Sequence, residues 1–187
     1  IVQDVADRID LVFGLAVHDY LAKHAGPDVL AEERMEWRDP ETGWLVTGQP
    51  DSVEWLTVDG GLLVDWKTTR VRALAYDKPE WSAQTNLYAY LLRLNGLPGE
   101  RIEVWALLRD YDRGRRGDPE YPRAPLCKVP VEMWDAATAH EYLRERLRLH
   151  RQAARGFYPP CTDEERWQRP TWAVTKTGNE RASRVFN

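Results

Sequence analysis

Apolar residues recur at intervals of three and four from Val2 to about His24, at Val5, Ile9, Val12, Phe13, Ala16, Val17, Tyr20 and Leu21. That period predicts an amphipathic helix, which Gly26-Pro27 would end. Three segments of strand character follow, at Arg34 to Arg38, Trp44 to Val58 and Leu62 to Thr69. Asp39-Pro40-Glu41-Thr42-Gly43 and Asp59-Gly60-Gly61 separate them with turn chemistry, so the pattern predicts an antiparallel meander. A second helix is expected from Glu80 to Leu94, with Pro79 near its start and Asn95-Gly96 as its stop. Ile102 to Leu108 and Leu126 to Val131 supply two further strands, and Val131 to Arg155 reads as a long charged helix closed by Gly156 and Pro159-Pro160. From Thr162 onward the periodicity is weak and little structure is expected.

Helix, three strands, helix, strand, strand, helix is the order of a mixed sheet flanked by helices, an α/β fold. The 187 residues suit one compact domain, which we place at residues 1–160, with 161–187 as a C-terminal extension. The chain starts without Met and closes on Ser-Arg-Val-Phe-Asn, which suggests a piece of a longer parent.

Composition narrows the classes. No apolar run approaches the roughly 20 residues that span a bilayer, and Ile1 to Asp10 has no signal-peptide character, so the expected location is the cytoplasm, away from membranes. Two cysteines, Cys127 and Cys161, are too few for a disulfide scaffold or a four-cysteine metal site and are expected as reduced, partly buried thiols. A net charge of -4 does not draw a polyanion globally, so nucleic-acid contact would need a local basic patch. The densest candidate is Arg109, Arg113, Arg115 and Arg116, which taken alone reads as a solvated turn. Of nine Trp residues, Trp37, Trp44, Trp55, Trp66 and Trp105 fall on expected strands, where sheet packing is their ordinary use.

The strongest chemical signal is Val64-Asp65-Trp66-Lys67 on the third strand. Side chains alternate along a strand, so Asp65 and Lys67 share one face. Alone, such a pair could be a plain surface ion pair. Gly48-Gln49-Pro50-Asp51 lies one hairpin earlier, and the reversal of the chain between 51 and 65 lets two carboxylates converge at a sheet edge. Pro50 would interrupt ladder pairing and bend the strand there. Convergent carboxylates suit a hard cation such as Mg²⁺. On the first helix Gly14 and His18 lie one turn apart, where glycine allows close approach to the sheet and the imidazole could reach a metal. On the second helix Gln84 and Tyr88, at i and i+4, put an amide and a phenol on one face, able to hydrogen-bond the lysine, a water or a phosphate.

In this order, Gly14 to His18, Gly48 to Asp51, Asp65 to Lys67 and Gln84 to Tyr88 resemble the RecB-type branch of the PD-(D/E)XK nucleases, with its G-x-x-x-H, G-x-x-D, D-x-K and Q-x-x-x-Y elements. The resemblance covers roughly Asp4 to Val131 and implies a restriction-endonuclease-like core, αβββαβ. It implies His18, Asp51, Asp65 and the backbone carbonyl of Trp66 as ligands of Mg²⁺ or Mn²⁺. Asp51, Asp65, Lys67, Gln84 and Tyr88 would form the catalytic set, with Lys67 as the catalytic lysine. The implied activity is hydrolysis of DNA, favouring exonuclease action that leaves a 5′-phosphate; the alternative is a nucleic-acid-binding module without turnover. The chain also looks like compact phage-encoded nucleases and like the CRISPR-adaptation exonucleases, but it lacks the four cysteines of the latter, so no iron-sulfur cluster is expected. Ring-shaped relatives make a homo-oligomer an option.

Overall fold

The computed structural model describes residues 8–54, 60–97, 99–163, 166, 172–175, 177 and 182–186. Its elements in chain order are α1 (Ile9–Lys23), β1 (Val29–Ala31), β2 (Met35–Arg38), β3 (Leu45–Gly48), β4 (Ser52–Glu54), β5 (Leu62–Thr69), α2 (Pro79–Leu94), β6 (Arg101–Leu108), β7 (Leu126–Val129), α3 (Ala136–Ala154), β8 (Trp172–Thr175) and β9 (Ala182–Phe186). This is a mixed α/β fold whose central five-stranded sheet has the order β1-β4-β5-β6-β7.

One pairing is parallel. β5 and β6 run side by side from Leu62↔Arg101 to Thr69↔Leu108, while β1–β4, β4–β5 and β6–β7 are antiparallel. A parallel neighbour needs a crossover rather than a hairpin, and α2 supplies it. Pro79 at its first turn needs no amide partner, and the backbone beyond Asn95 turns through Gly96 at φ 71°, which suits glycine.

Period two then sorts β5. Leu63, Asp65 and Lys67 face α2, and their parallel partners Ile102, Val104 and Ala106 extend that face onto β6. The core forms there from Met35, Val53, Leu63, Ala89, Leu91 and Leu92, all almost fully buried, with Trp37, Val46, Tyr88 and Ile102 packed around it. Trp66 and Trp105, registered partners on the other face, stack with ring centroids 5.9 Å apart.

Several expectations are corrected. The segment Trp44 to Val58 is not one strand: β3 pairs with β2 in a separate two-stranded sheet, β4 joins the main sheet, and Gln49-Pro50-Asp51 makes the corner between them. Proline cannot donate to a ladder, and Pro50 is buried at this corner. Trp44 precedes β3 and is exposed; Trp55 lies outside the described residues. β1 went unforeseen because three residues cannot display alternation. α1 runs over Ile9–Lys23 among the described residues, and Val2 and Val5, where the expected helix begins, lie outside them. Its expected apolar stripe is largely exposed at Ile9, Val12, Phe13 and Tyr20, and the partly buried positions are Gly14, Val17, His18, Leu21 and Ala22. Leu11 and Leu15 make the helix apolar nearly all round, so hydrophobicity alone could not select the face.

The chain forms two compact units, divided between Leu143 and Arg144. In the first unit, Asn86 of α2 ties down the segment ahead of α3: its amide donates to Glu132 O at 3.0 Å and its Oδ1 accepts from Trp134 N at 2.7 Å. That segment is not helical, and α3 starts at Ala136 rather than Val131. In the second unit β8 and β9 pair antiparallel, a hairpin where little structure was expected. Cys127 is half-buried and free; Cys161 is free and exposed, not partly buried as expected. No helix among the described residues is long and apolar enough to cross a membrane.

Candidate active site

The site grows from the corner at Asp51. Because β4 pairs with β5 from Ser52↔Val64 onward, the residue before Ser52 comes to stand beside the next stretch of β5, where β4 has ended. The β5 backbone there is free to bond a side chain, and Trp66 N donates to Asp51 Oδ2 at 2.6 Å. Within a strand the N–H and C=O of one residue point to the same edge, so the Trp66 carbonyl also faces the Asp51 side.

Gly48 makes the close packing beneath this corner possible. A Cβ at that position would lie 2.7 Å from Leu91 Cδ1 and 3.0 Å from Tyr88 Cδ1, inside contact distance. Gly14 is less constrained, since a Cβ there would meet Thr68 Oγ1 at 3.4 Å, an ordinary contact.

From α1, His18 Nδ1 reaches to 3.1 Å from Asp51 Oδ1 and 3.5 Å from Glu32 Oε1. The hydrogen bond to Asp51 raises the His18 pKa above its usual value; partial burial opposes this, and the charges of Asp51 and Glu32 add to it. Potential ligand atoms of His18, Glu32 and Asp51 lie within 4.8 Å of one another. They line a cleft of about 230 Å³ together with Trp66 and the C-terminal part of α1.

On the α2 face of β5, Lys67 Nζ stands 2.8 Å from Asp65 Oδ2 and donates to Gln84 Oε1 at 2.9 Å. Gln84 Nε2 in turn donates to Tyr88 OH at 2.9 Å. The i, i+4 spacing expected to place Gln84 and Tyr88 together does so, and both connect to the lysine. Asp65 is only 1% exposed; its Oδ2 is met by the Lys67 ammonium at 2.8 Å, and its Oδ1 has no hydrogen-bond partner. Burial pushes its carboxyl up to about 6; the Asp51 charge pushes the same way and Lys67 opposes both.

Two carboxylates and an imidazole beside a buried carboxylate with one oxygen left without a partner form a donor set that fits a hard divalent cation. Glu32 was missing from the sequence-based set. Within Glu32-Glu33-Arg34 it looks like solvated charge, and only the pairing of Ala31 with Ser52 brings it beside Asp51. Arg113 to Arg116 lie on an exposed turn, where Arg115 pairs with Asp118 at 3.0 Å and lies over the Tyr121 ring, while the partly buried Arg109 pairs with Asp10.

Comparison with curated proteins gives no match. Among solved structures, the crystal structure of SSO0001 is similar at 14% identity and a TM-score of 0.49, over 77% of this chain and 61% of that one. The chain thus spans about three fifths of that protein's length. The family model of the PD-(D/E)XK nuclease superfamily matches residues 3–169, and the chain belongs to that superfamily.

Proposed function

We propose that this superfamily member is a DNA nuclease of the RecB-like branch, dependent on Mg²⁺ or Mn²⁺, which acts from DNA ends and leaves a 5′-phosphate. The observation that carries the reading is the position of Lys67, whose Nζ stands between Asp65 Oδ2 at 2.8 Å and Gln84 Oε1 at 2.9 Å. An ammonium has three donors. With Gln84 fixing one and Asp65 neutralising the charge, a donor remains for a phosphate oxygen or the attacking water.

His18, Asp51, Asp65 and the Trp66 carbonyl are the residues we assign to the cation. Bound there, it would acidify water and offset phosphate charge. The protein's own part is positional. Trp66 N–H fixes one oxygen of Asp51 and leaves the other toward His18. Gln84, itself held by Tyr88, keeps Lys67 from collapsing wholly onto Asp65. Water adds to phosphorus and gives up a proton to solvent, the P–O3′ bond breaks, and the 3′ oxygen leaves as a hydroxyl after taking a proton from solvent; Lys67 stabilises the charge that builds on the phosphoryl oxygens.

The test is digestion of end-labelled linear and closed circular DNA with Mg²⁺, Mn²⁺ or EDTA, alongside Lys67→Ala. Shortening of linear DNA alone, lost in EDTA and in the variant, is expected. Near-normal cleavage by Lys67→Ala would refute the role of the lysine, retardation without shortening would identify a binder, and cutting of circular DNA would rule out strict end dependence.

A further inference from the structure

Glu32 lies outside every motif that points to the nuclease, and its backbone is unusual. At φ 52° it is the one non-glycine residue with positive φ among the described residues. Side chains with a Cβ enter this left-handed region at a cost, and such costs persist where the surroundings impose them. Here they are imposed twice: Glu32 N donates to Asp51 O at 3.1 Å, and Gln49 Nε2 donates to Glu32 Oε2 at 2.9 Å. Arg34 contacts Gln49 Oε1 in turn, at 3.4 Å.

The result is a carboxylate with one oxygen anchored and the other turned inward, Oε1 toward His18 at 3.5 Å. Glu32 and Asp51 crowd two negative charges around one imidazole within 4.8 Å. A hydrogen-bonding network alone does not need the second carboxylate, since Asp51 already satisfies His18 at 3.1 Å. The independent pointer to a ligand is Asp65, buried in the same electrostatic neighbourhood, whose Oδ2 is met by Lys67 Nζ at 2.8 Å and whose Oδ1 has no partner. Against these three carboxylates stand one ammonium, Lys67, and one imidazole, His18, and a divalent cation would offset the remaining negative charge.

We infer that Glu32 is a further ligand of the divalent cation, sharing it with His18 and Asp51, and that its left-handed backbone is held for that purpose. The assignment rests on the metal-dependent reading of the site.

Mn²⁺ affinity of the purified chain, by isothermal titration, and melting with and without Mn²⁺ test it in Glu32→Gln, Glu32→Ala and Glu32→Gly. Glu32→Gln should weaken Mn²⁺ binding by about tenfold or more. Glu32→Gly should weaken it equally, yet melt about 2–4 °C above Glu32→Ala without metal, because glycine relieves the backbone. Unchanged Mn²⁺ affinity in Glu32→Gln and Glu32→Gly overturns the inference, as would a wild-type chain that binds no Mn²⁺. Should the wild type bind Mn²⁺, lose it in the variants and still leave DNA intact, the nuclease reading fails while the ligand assignment stands. Should the wild type cleave DNA while the variants bind Mn²⁺ normally, the ligand assignment fails while the nuclease reading stands.

Discussion

Lys67 and Gln84 meet between β5 and α2, with Nζ donating to Oε1 at 2.9 Å. The contact joins β5, the strand that carries Asp65, to the crossover helix, so the position of the amine depends on how α2 seats on the sheet. Gln84 is itself oriented by Tyr88 OH at 2.9 Å. The two helix residues therefore form a series, and their removal should have graded effects.

Gln84→Ala should lower the rate of DNA cleavage by roughly 10- to 100-fold, and Tyr88→Phe by less, because the phenol acts only through Gln84. Mn²⁺ affinity should stay near wild type in both. Steady-state cleavage and metal titration separate the effects; equal losses in Mn²⁺ binding would place these residues at the cation instead.

Gly48→Ala tests the packing under the site. The added methyl would stand 2.7 Å from Leu91 Cδ1 and 3.0 Å from the Tyr88 ring, and Leu91 is a core residue with little room to move. Overpacking of this kind costs about 1–3 kcal/mol. Urea denaturation should show that loss, and cleavage should fall further than stability explains because Tyr88 is displaced.

Much of the site could be read from period two. Alternation along Leu62 to Thr69 puts Asp65 and Lys67 on one face, and the turn chemistry between positions 51 and 65 brings the second acid to them. α2 was legible because Pro79 and Asn95-Gly96 punctuate a long periodic stretch. Features set by pairing rather than pattern were not. Glu32 enters only because a three-residue strand, β1, lies against β4. The corner at Pro50 divides one apolar stretch between two sheets, and hydrophobicity does not say which sheet each half joins. Asn86 sits inside the Q-x-x-x-Y segment, yet it is a structural clamp whose partners at Glu132 and Trp134 lie far along the chain.

Asn86→Ala should therefore damage stability and spare chemistry. The side chain is fully buried, and its loss leaves the Glu132 carbonyl and the Trp134 amide without their partner. Each unsatisfied buried group costs about 1–3 kcal/mol. Urea denaturation should report a loss of about 2–3 kcal/mol, since the segment can partly rewet, whereas the rise in melting temperature on adding Mn²⁺ should match the wild type. Loss of that Mn²⁺ effect would show that the clamp reaches the site.

The titration of Asp65 gives the metal-free protein an unusual dependence on pH. Its carboxyl goes from an ordinary value of 3.8 in the unfolded chain to about 6 in the folded one, mainly through burial. Below pH 3.8 the group is protonated in both states and its contribution to stability is complete. Between the two values the unfolded chain releases a proton that the folded chain keeps, so stability falls as pH rises, by on the order of 3 kcal/mol at pH 7. His18, raised by its hydrogen bond to Asp51, extends the fall with the same sign above its ordinary value of 6.5. Asp65→Asn mimics the neutral carboxyl at every pH and should flatten the lower part of the curve. A divalent cation selects the ionised carboxylates and the neutral imidazole, so saturating Mn²⁺ should stabilise the wild type increasingly from about pH 5 to about 7.5 and leave Asp65→Asn largely unaffected. Urea denaturation across that range in EDTA and in Mn²⁺ measures both slopes. A wild-type curve that is level in EDTA would show that Asp65 is not held neutral by burial, and equal Mn²⁺ stabilisation of Asp65→Asn would remove Asp65 from the cation.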